Sequence, residues 1–241
     1  MIEHVYRRAA DARGVDAVVV ATDDPSIAAA VEAFGGVARL TRSGHRTGTD
    51  RIAEVVADLP CDIIINVQGD LPLIDPGMIA EVLEPLTSDA SVQMSTLRRE
   101  LSDPAEYASP HVVKVVVDNR GDALYFSRSP IPFLREAGPA EAGHYEPGDR
   151  PAEAGRHVPV VSGFSRTSTY KHIGLYGYRR DFLLAFAALP QTRLEQAESL
   201  EQLRVLEHGF RIRTVVTRYE SIEVDTPDDL ERVRHLLTTR V

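Results

Sequence analysis

Two kinds of apolar pattern alternate along this chain. Residues 17–21 and 63–67 are short, largely β-branched runs in which polar and apolar positions do not alternate, the pattern of parallel strands covered on both faces. Residues 37–40, 92–97 and 212–216 read as further strands. Between them, apolar side chains recur every three or four positions, predicting helices over 1–13, 25–34, 52–59, 78–86, 180–188 and 194–208. The punctuation agrees. Asp24-Pro25 suits a helix start, Gly35-Gly36 and Gly209 suit helix ends, and Asp225 or Thr226 before Pro227 caps a last helix.

The middle of the chain leaves this rhythm. Residues 101–109 are turn-like, and the strand patterns 112–118 and 122–127 flank Asn119-Arg120-Gly121, a hairpin signal. Residues 135–163 are rich in Pro, Gly, Ala and Glu without any period, so a long mobile loop is expected there. Alternation returns in residues 172–179 and puts His172, Gly174, Tyr176 and Tyr178 on one face. The whole predicts one α/β domain over 1–241, with a mixed sheet, helices on both faces and a small antiparallel subdomain.

Composition narrows the function. The 241 residues are 43% hydrophobic and 26% charged, and no apolar run approaches the roughly 20 residues of a membrane span. A cytoplasmic protein without membrane partners is expected, and the single Cys61 suits a reducing compartment. A formal charge of -9 argues against nucleic-acid binding. It does not exclude a nucleotide, because carboxylates meet phosphates through a divalent cation.

The candidate chemistry starts at the run 63–67, which stops on Gly69, Asp70 and Pro72. A carboxylate at the carboxyl end of a strand stands where open α/β sheets bind ligands. Asp70 is therefore a metal candidate, or simply a turn or cap residue. The polar loop 41–51 is rich in glycines and donors and could approach a base or phosphate, or could be a surface loop. Glu195, Glu198, Glu201 and Gln202 fall at helical spacings on one face, which equally describes a solvated helix face.

Seven motifs in order carry a resemblance: Arg42 through Thr47-Gly48-Thr49-Asp50-Arg51, Asn66-Val67-Gln68-Gly69-Asp70, Val113-Lys114-Val115-Val116, Ala123-Leu124-Tyr125-Phe126-Ser127-Arg128, His172 through Arg179, Leu200-Glu201-Gln202-Leu203-Arg204, and Val224-Asp225-Thr226-Pro227. Together they resemble the 3-deoxy-manno-octulosonate cytidylyltransferases, or CMP-KDO synthetases, from Met1 almost to the C-terminus. The resemblance implies a nucleotidyltransferase Rossmann-like fold, with CMP passed from CTP to the anomeric hydroxyl of 3-deoxy-D-manno-octulosonate (KDO) for lipopolysaccharide biosynthesis. It implies Mg2+ held by Asp70 and Asp225 as the catalytic carboxylates. It also implies a sugar-acid site of Gln68, His172, Tyr176, Glu201 and Gln202, a nucleobase side of Thr47, Gly48, Thr49 and Arg51, and a homodimer. Lys114 and Arg128 are either contacts for anionic groups or structural ion-pair partners.

The chain departs from that family's pattern twice. Members carry, ahead of the residue matching Met1, a strand and a basic loop of the form Arg-x-x-Ser-Thr-Arg-Leu-Pro-Gly-Lys; the natural protein is expected to be longer, or to be a shortened paralogue, with a gap in its sheet. Leu71 stands where the family usually has Glu, which removes any supporting role of that carboxylate. Two rivals follow: a cytidylyltransferase for another sugar acid, and an inactive sugar-binding paralogue.

Overall fold

The computed structural model describes residues 1–134, 169–220, 222, 224 and 226–239. The loop expected at 135–163 and the candidate Asp225 lie outside the described residues.

Helix α1 (Ile2–Ala10) opens the chain. Strand β1 (Val20–Thr22), helix α2 (Pro25–Ala33) and strand β2 (Ala38–Leu40) then form a βαβ unit whose strands pair in parallel. Asp24 starts α2 as expected, its carboxylate accepting the Ser26 N–H at 2.7 Å. The strand expected at 17–21 is only partly formed, because β1 finds its ladder only opposite Ala38–Leu40.

Helix α3 (Gly48–Ala57), strand β3 (Ile63–Asn66), helix α4 (Pro76–Ser88), strand β4 (Met94–Glu100) and the short helix α5 (Pro104–Ala108) come next. The expected hairpin is present as β5 (Lys114–Val117) and β6 (Ala123–Ser127). Strand β7 (Tyr170–Arg179) leads into α6 (Arg180–Ala188), α7 (Arg193–Glu198), α8 (Gln202–Glu207), β8 (Arg213–Val216) and α9 (Pro227–Thr239). Among the described residues no helix is long and apolar enough to cross a membrane.

The ten-residue β7 is the spine of a mixed sheet ordered β6-β5-β7-β4-β8. One edge of β7 runs along β4; the other pairs with β5 through Tyr170 and Lys171, and then with β3 from Tyr176 to Arg179. Among the described residues, only β4 and β8 run parallel within this sheet. At its far end the turn before β6 reaches back to β8: Ala123 N–H donates to Ile212 O at 2.9 Å and Thr214 N–H to Gly121 O at 2.8 Å. Gly121 is required there, since it has φ +84° and an added Cβ would sit 3.3 Å from Thr214 O.

Helices cover both faces, as expected. Val56, Phe182, Leu183, Phe186, Leu203 and Val205 from α3, α6 and α8 pack with Met94, Phe126 and Tyr178 of the sheet. On the opposite face Ala9 of α1 and Met78, Ile79 and Val82 of α4 pack with Leu97 and Leu175.

Several expectations need correction. Strand β3 is antiparallel to β7 and its isoleucines are only half-buried, because no second strand pairs with it among the described residues. Among the described residues β1 and β2 form a two-stranded sheet of their own, not bonded to the larger one, which does not contradict the expected gap. Helix α3 begins four residues earlier than expected, because Thr47 caps it by accepting the Asp50 N–H at 3.1 Å. The expected helix over 194–208 is two helices, broken where Ser199 takes a left-handed φ of 52°. Glu195 thus lies in α7 and Glu201 just ahead of α8, and they do not form one acidic face. A five-residue helix, capped by Asp103, replaces the turn-like 101–109.

Candidate active site

The carboxyl end of β3 meets the centre of β7. Asn66 pairs with Tyr176, and the chain then turns through Gln68, Gly69 and Asp70. Gln68 is exposed and Asp70 half-buried. The Asp70 carbonyl accepts the Val224 N–H at 3.0 Å, so the segment leading to α9 is fastened to this turn. Leu71 points the other way. It is 2% exposed and packs with Ala9, Ala12, Ile74, Met78 and Leu175. Its side chain therefore fills the core between α1, α4 and the sheet and offers the turn no carboxylate oxygen.

His172 and Tyr176 stand together on β7, their rings 5.3 Å apart, with Phe126 edge-on to His172 at 5.0 Å. Burial among these rings pushes the His172 pKa down to about 3, so the imidazole is neutral at physiological pH. Tyr176 in turn stacks on Tyr178 at 6.1 Å. Tyr178 is fully buried, hydrogen-bonded with Thr49 and Asn66, and burial drives its phenol well above the ordinary value.

Thr47 and Thr49 at the start of α3 close the set. The Thr47 hydroxyl donates to one Glu201 carboxylate oxygen at 2.9 Å and the Thr49 hydroxyl to the other at 2.9 Å. Burial raises the Glu201 pKa, opposed by these two donors and by Arg204. Arg204 is buried and held by Glu195 through Nε at 2.9 Å and Nη2 at 2.5 Å. Burial favours the neutral form of Glu195, but hydrogen bonds from Arg204 and the Thr192 N–H outweigh it and hold the carboxyl below its usual range. Next to Glu201, Gln202 is 4% exposed and its side-chain nitrogen is buried without a hydrogen-bond partner.

The structure thus links His172, Tyr176, Glu201, Thr47 and Thr49 through contacts by way of Tyr178, with the β3 turn alongside. Gly48 lies in the first turn of α3 between the two threonines. Arg51 is engaged elsewhere, donating to Thr41 Oγ1 at 2.6 Å and pairing with Asp23 at 3.0 Å, which ties α3 to the ends of β1 and β2. Lys114 is structural: fully buried, its ammonium donates to the carbonyls of Ser109, Val112 and Arg128. Arg128 is likewise bound to the Glu198 carbonyl at 2.9 Å. Sequence reasoning missed Glu195 and Arg204 as supports of Glu201. The Thr192-x-x-Glu195 spacing, typical of a helix start, was the available signal.

Comparison with known proteins shows the family. Residues 1–215 match the cytidylyltransferase family model. The 3-deoxy-manno-octulosonate cytidylyltransferase of Geobacter metallireducens is 54% identical over 97% of this chain and 85% of its own length. That of Geotalea uraniireducens is 54% identical over 97% of the chain and 86% of its length. A solved CMP:2-keto-3-deoxy-manno-octonic acid synthetase complexed with CTP superposes with a TM-score of 0.85 at 42% identity, covering 100% of this chain and 88% of that one. The chain belongs to the 3-deoxy-manno-octulosonate cytidylyltransferase family of nucleotidyltransferases.

Proposed function

We propose that this enzyme transfers CMP from CTP to KDO, giving CMP-KDO and pyrophosphate. The observation that carries the proposal is the Glu201 carboxylate, whose two oxygens hold the two threonines of α3 while Gln202 beside it keeps a buried amide donor unmatched. An unmatched buried donor is costly, and a sugar acid rich in hydroxyl and carboxylate oxygens would satisfy it. Thr49, which that carboxylate holds, also bonds with Tyr178, whose ring stacks on Tyr176, so the elements assigned to the nucleoside, Thr47 to Thr49, reach those assigned to the sugar, His172 and Tyr176. The names of the relatives and of the CTP-bound neighbour support both substrates.

In the reaction, the anomeric hydroxyl of KDO attacks the α-phosphorus of CTP. The new O–P bond forms as the α–β phosphoanhydride bond breaks, the hydroxyl proton is lost, and pyrophosphate leaves. Little covalent chemistry falls to the protein, so its task is positioning. Gln68, His172, Tyr176, Glu201 and Gln202 would hold the sugar acid, and Thr47, Gly48 and Thr49 the nucleoside side. Arg51 would act there only through the loops it ties down.

Asp70 and Asp225 would hold Mg2+, a hard cation that takes one or two carboxylates and completes its shell with water and phosphate oxygens. The donor chemistry fits: the 66–72 turn offers carboxylate and amide oxygens and no thiol or imidazole. When bound, the ion neutralises phosphate charge. We further propose a cytoplasmic homodimer, which sedimentation would test.

The test is Mg2+-dependent pyrophosphate release from CTP with a panel of sugar acids. Release with KDO well above release with N-acetylneuraminate supports the proposal. Release with another sugar acid alone moves the chain to that substrate. Binding of KDO without turnover of any nucleotide assigns it to the inactive-paralogue reading.

A further inference from the structure

Thr96 lies in the middle of β4 with no solvent exposure, across the ladder from Tyr176 of β7 and with its hydroxyl beside the His172 ring. The ladder is irregular here. Thr96 pairs with Tyr176 but the next residue, Leu97, pairs with Ile173, so Gly174 and Leu175 are extra residues bulged out of β7. The Thr96 hydroxyl fills the space the bulge opens. Its oxygen is 2.8 Å from Leu175 O, 3.2 Å from Ile173 O and 2.9 Å from His172 Nε2.

A threonine hydroxyl has one proton and accepts through its lone pairs. Two of its three neighbours are carbonyl oxygens, which only accept. If the proton pointed at His172 Nε2, both carbonyls would face an oxygen lone pair inside the protein. The proton therefore goes to a carbonyl, best to Leu175 O at the shorter distance. His172 Nε2 must then carry a proton and donate it to Thr96. In a neutral imidazole this leaves Nδ1 as an acceptor.

From this geometry we infer that Thr96 is a positioning residue: it locks His172 as the Nε2–H tautomer and holds the bulge that sets His172 beside Tyr176, so that Nδ1 is presented to accept a hydrogen bond from a sugar-acid hydroxyl. The inference rests on the sugar-acid reading of this site and adds to it the residue that presets the site's hydrogen-bond polarity. Two observations agree. The ring's burial keeps it neutral across the physiological range, so the tautomer and not the charge decides what it can bind. The space over Gly174, between His172 and Tyr176 in the chain, is open, with no atom beyond its own chain neighbours within 4 Å of where a Cβ would stand. A serine at position 96 keeps the hydroxyl, whereas an isosteric valine leaves two carbonyls and an N–H without their common partner.

The experiment is long-range 1H–15N correlation spectroscopy of the intact protein, which distinguishes protonated from unprotonated ring nitrogens. For the wild type without substrate, His172 is expected to show a protonated Nε2 and a bare Nδ1 from pH 5 to pH 8. A bare Nε2, or a charged ring, overturns the inference. Adding KDO should move the Nδ1 resonance. If the tautomer is as stated but Nδ1 does not respond, the sugar-acid reading of His172 fails while its contact with Thr96 stands. In kinetics, Thr96→Val is expected to raise the KM for KDO by about tenfold with the KM for CTP within about twofold, and Thr96→Ser to restore it. Equal change in both constants overturns the positioning role. Should Thr96→Val fail to fold, the wild-type spectrum and the serine variant, which must keep the Nε2–H tautomer, decide the matter alone.

Discussion

Two neighbouring parts of the site are built in opposite ways. Strand β7 is ten residues long and paired along both edges, so His172 and Tyr176 stand on a strand that cannot shift without breaking ladders to β3, β4 and β5. The turn after β3 follows a four-residue strand with one described partner, and it is held by the Val224–Asp70 backbone bond and by burial of Leu71. The lesson is a division of labour. On the proposed assignment, the sugar side would be preset by sheet architecture, while the phosphate side would hang on a short strand, one core leucine and a segment that arrives from the far end of the chain. Rigid presetting suits recognition of hydroxyl geometry, and a lighter attachment suits groups that must accommodate a cation and a departing pyrophosphate.

This contrast can be broken by substitution, beginning with the largest effect. Asp70→Asn should lower kcat by about a thousandfold or more while the thermal transition stays within a few degrees of wild type, since the change removes charge and keeps shape. Retained turnover in a steady-state assay would remove Asp70 from the metal reading. One residue on, Leu71→Ala should do the reverse, costing about 2–5 kcal/mol in urea unfolding through the cavity it leaves. An unchanged unfolding midpoint would show that Leu71 does not anchor the turn. Two adjacent residues with opposite phenotypes are what the geometry demands.

On the β7 side, Tyr176→Phe should raise the KM for KDO by about three- to tenfold with a smaller change for CTP, as expected for loss of one hydroxyl on a fixed ring. Equal shifts in both constants would detach Tyr176 from the sugar side. The smallest effect is expected at the break between α7 and α8. Ser199→Gly should stabilise the protein by up to about 1 kcal/mol, because glycine takes φ 52° without the Cβ clash. Destabilisation in a thermal melt would mean that the serine side chain carries something beyond backbone geometry.

Parts of this architecture were legible in the sequence for physical reasons. The shared face of His172 and Tyr176 was read from simple alternation, and it survives because the bulge adds two residues and so preserves parity. Asp24-Pro25 and Asn119-Arg120-Gly121 encode their helix start and hairpin locally. The direction of β3 was not legible, since an unbroken apolar run says that a strand is covered and not how it is paired. Ser199 gave no warning, because left-handed turns are usually marked by glycine. The link from Glu201 to Thr47 and Thr49 spans more than 150 positions, and periodicity carries no information at that range. Family resemblance collected these residues into one site. Thr96 escaped that reading because it looks like an ordinary buried strand threonine until the bulge opposite it is seen.

The most direct test of the central claim is 31P NMR of the protein with CTP, KDO and Mg2+. The account predicts that the triphosphate resonances give way to pyrophosphate and one new phosphodiester signal, that the signal requires KDO, and that chelation of Mg2+ stops its growth. Appearance of free CMP and pyrophosphate irrespective of KDO, or a new diester formed only with a different sugar acid, would contradict it.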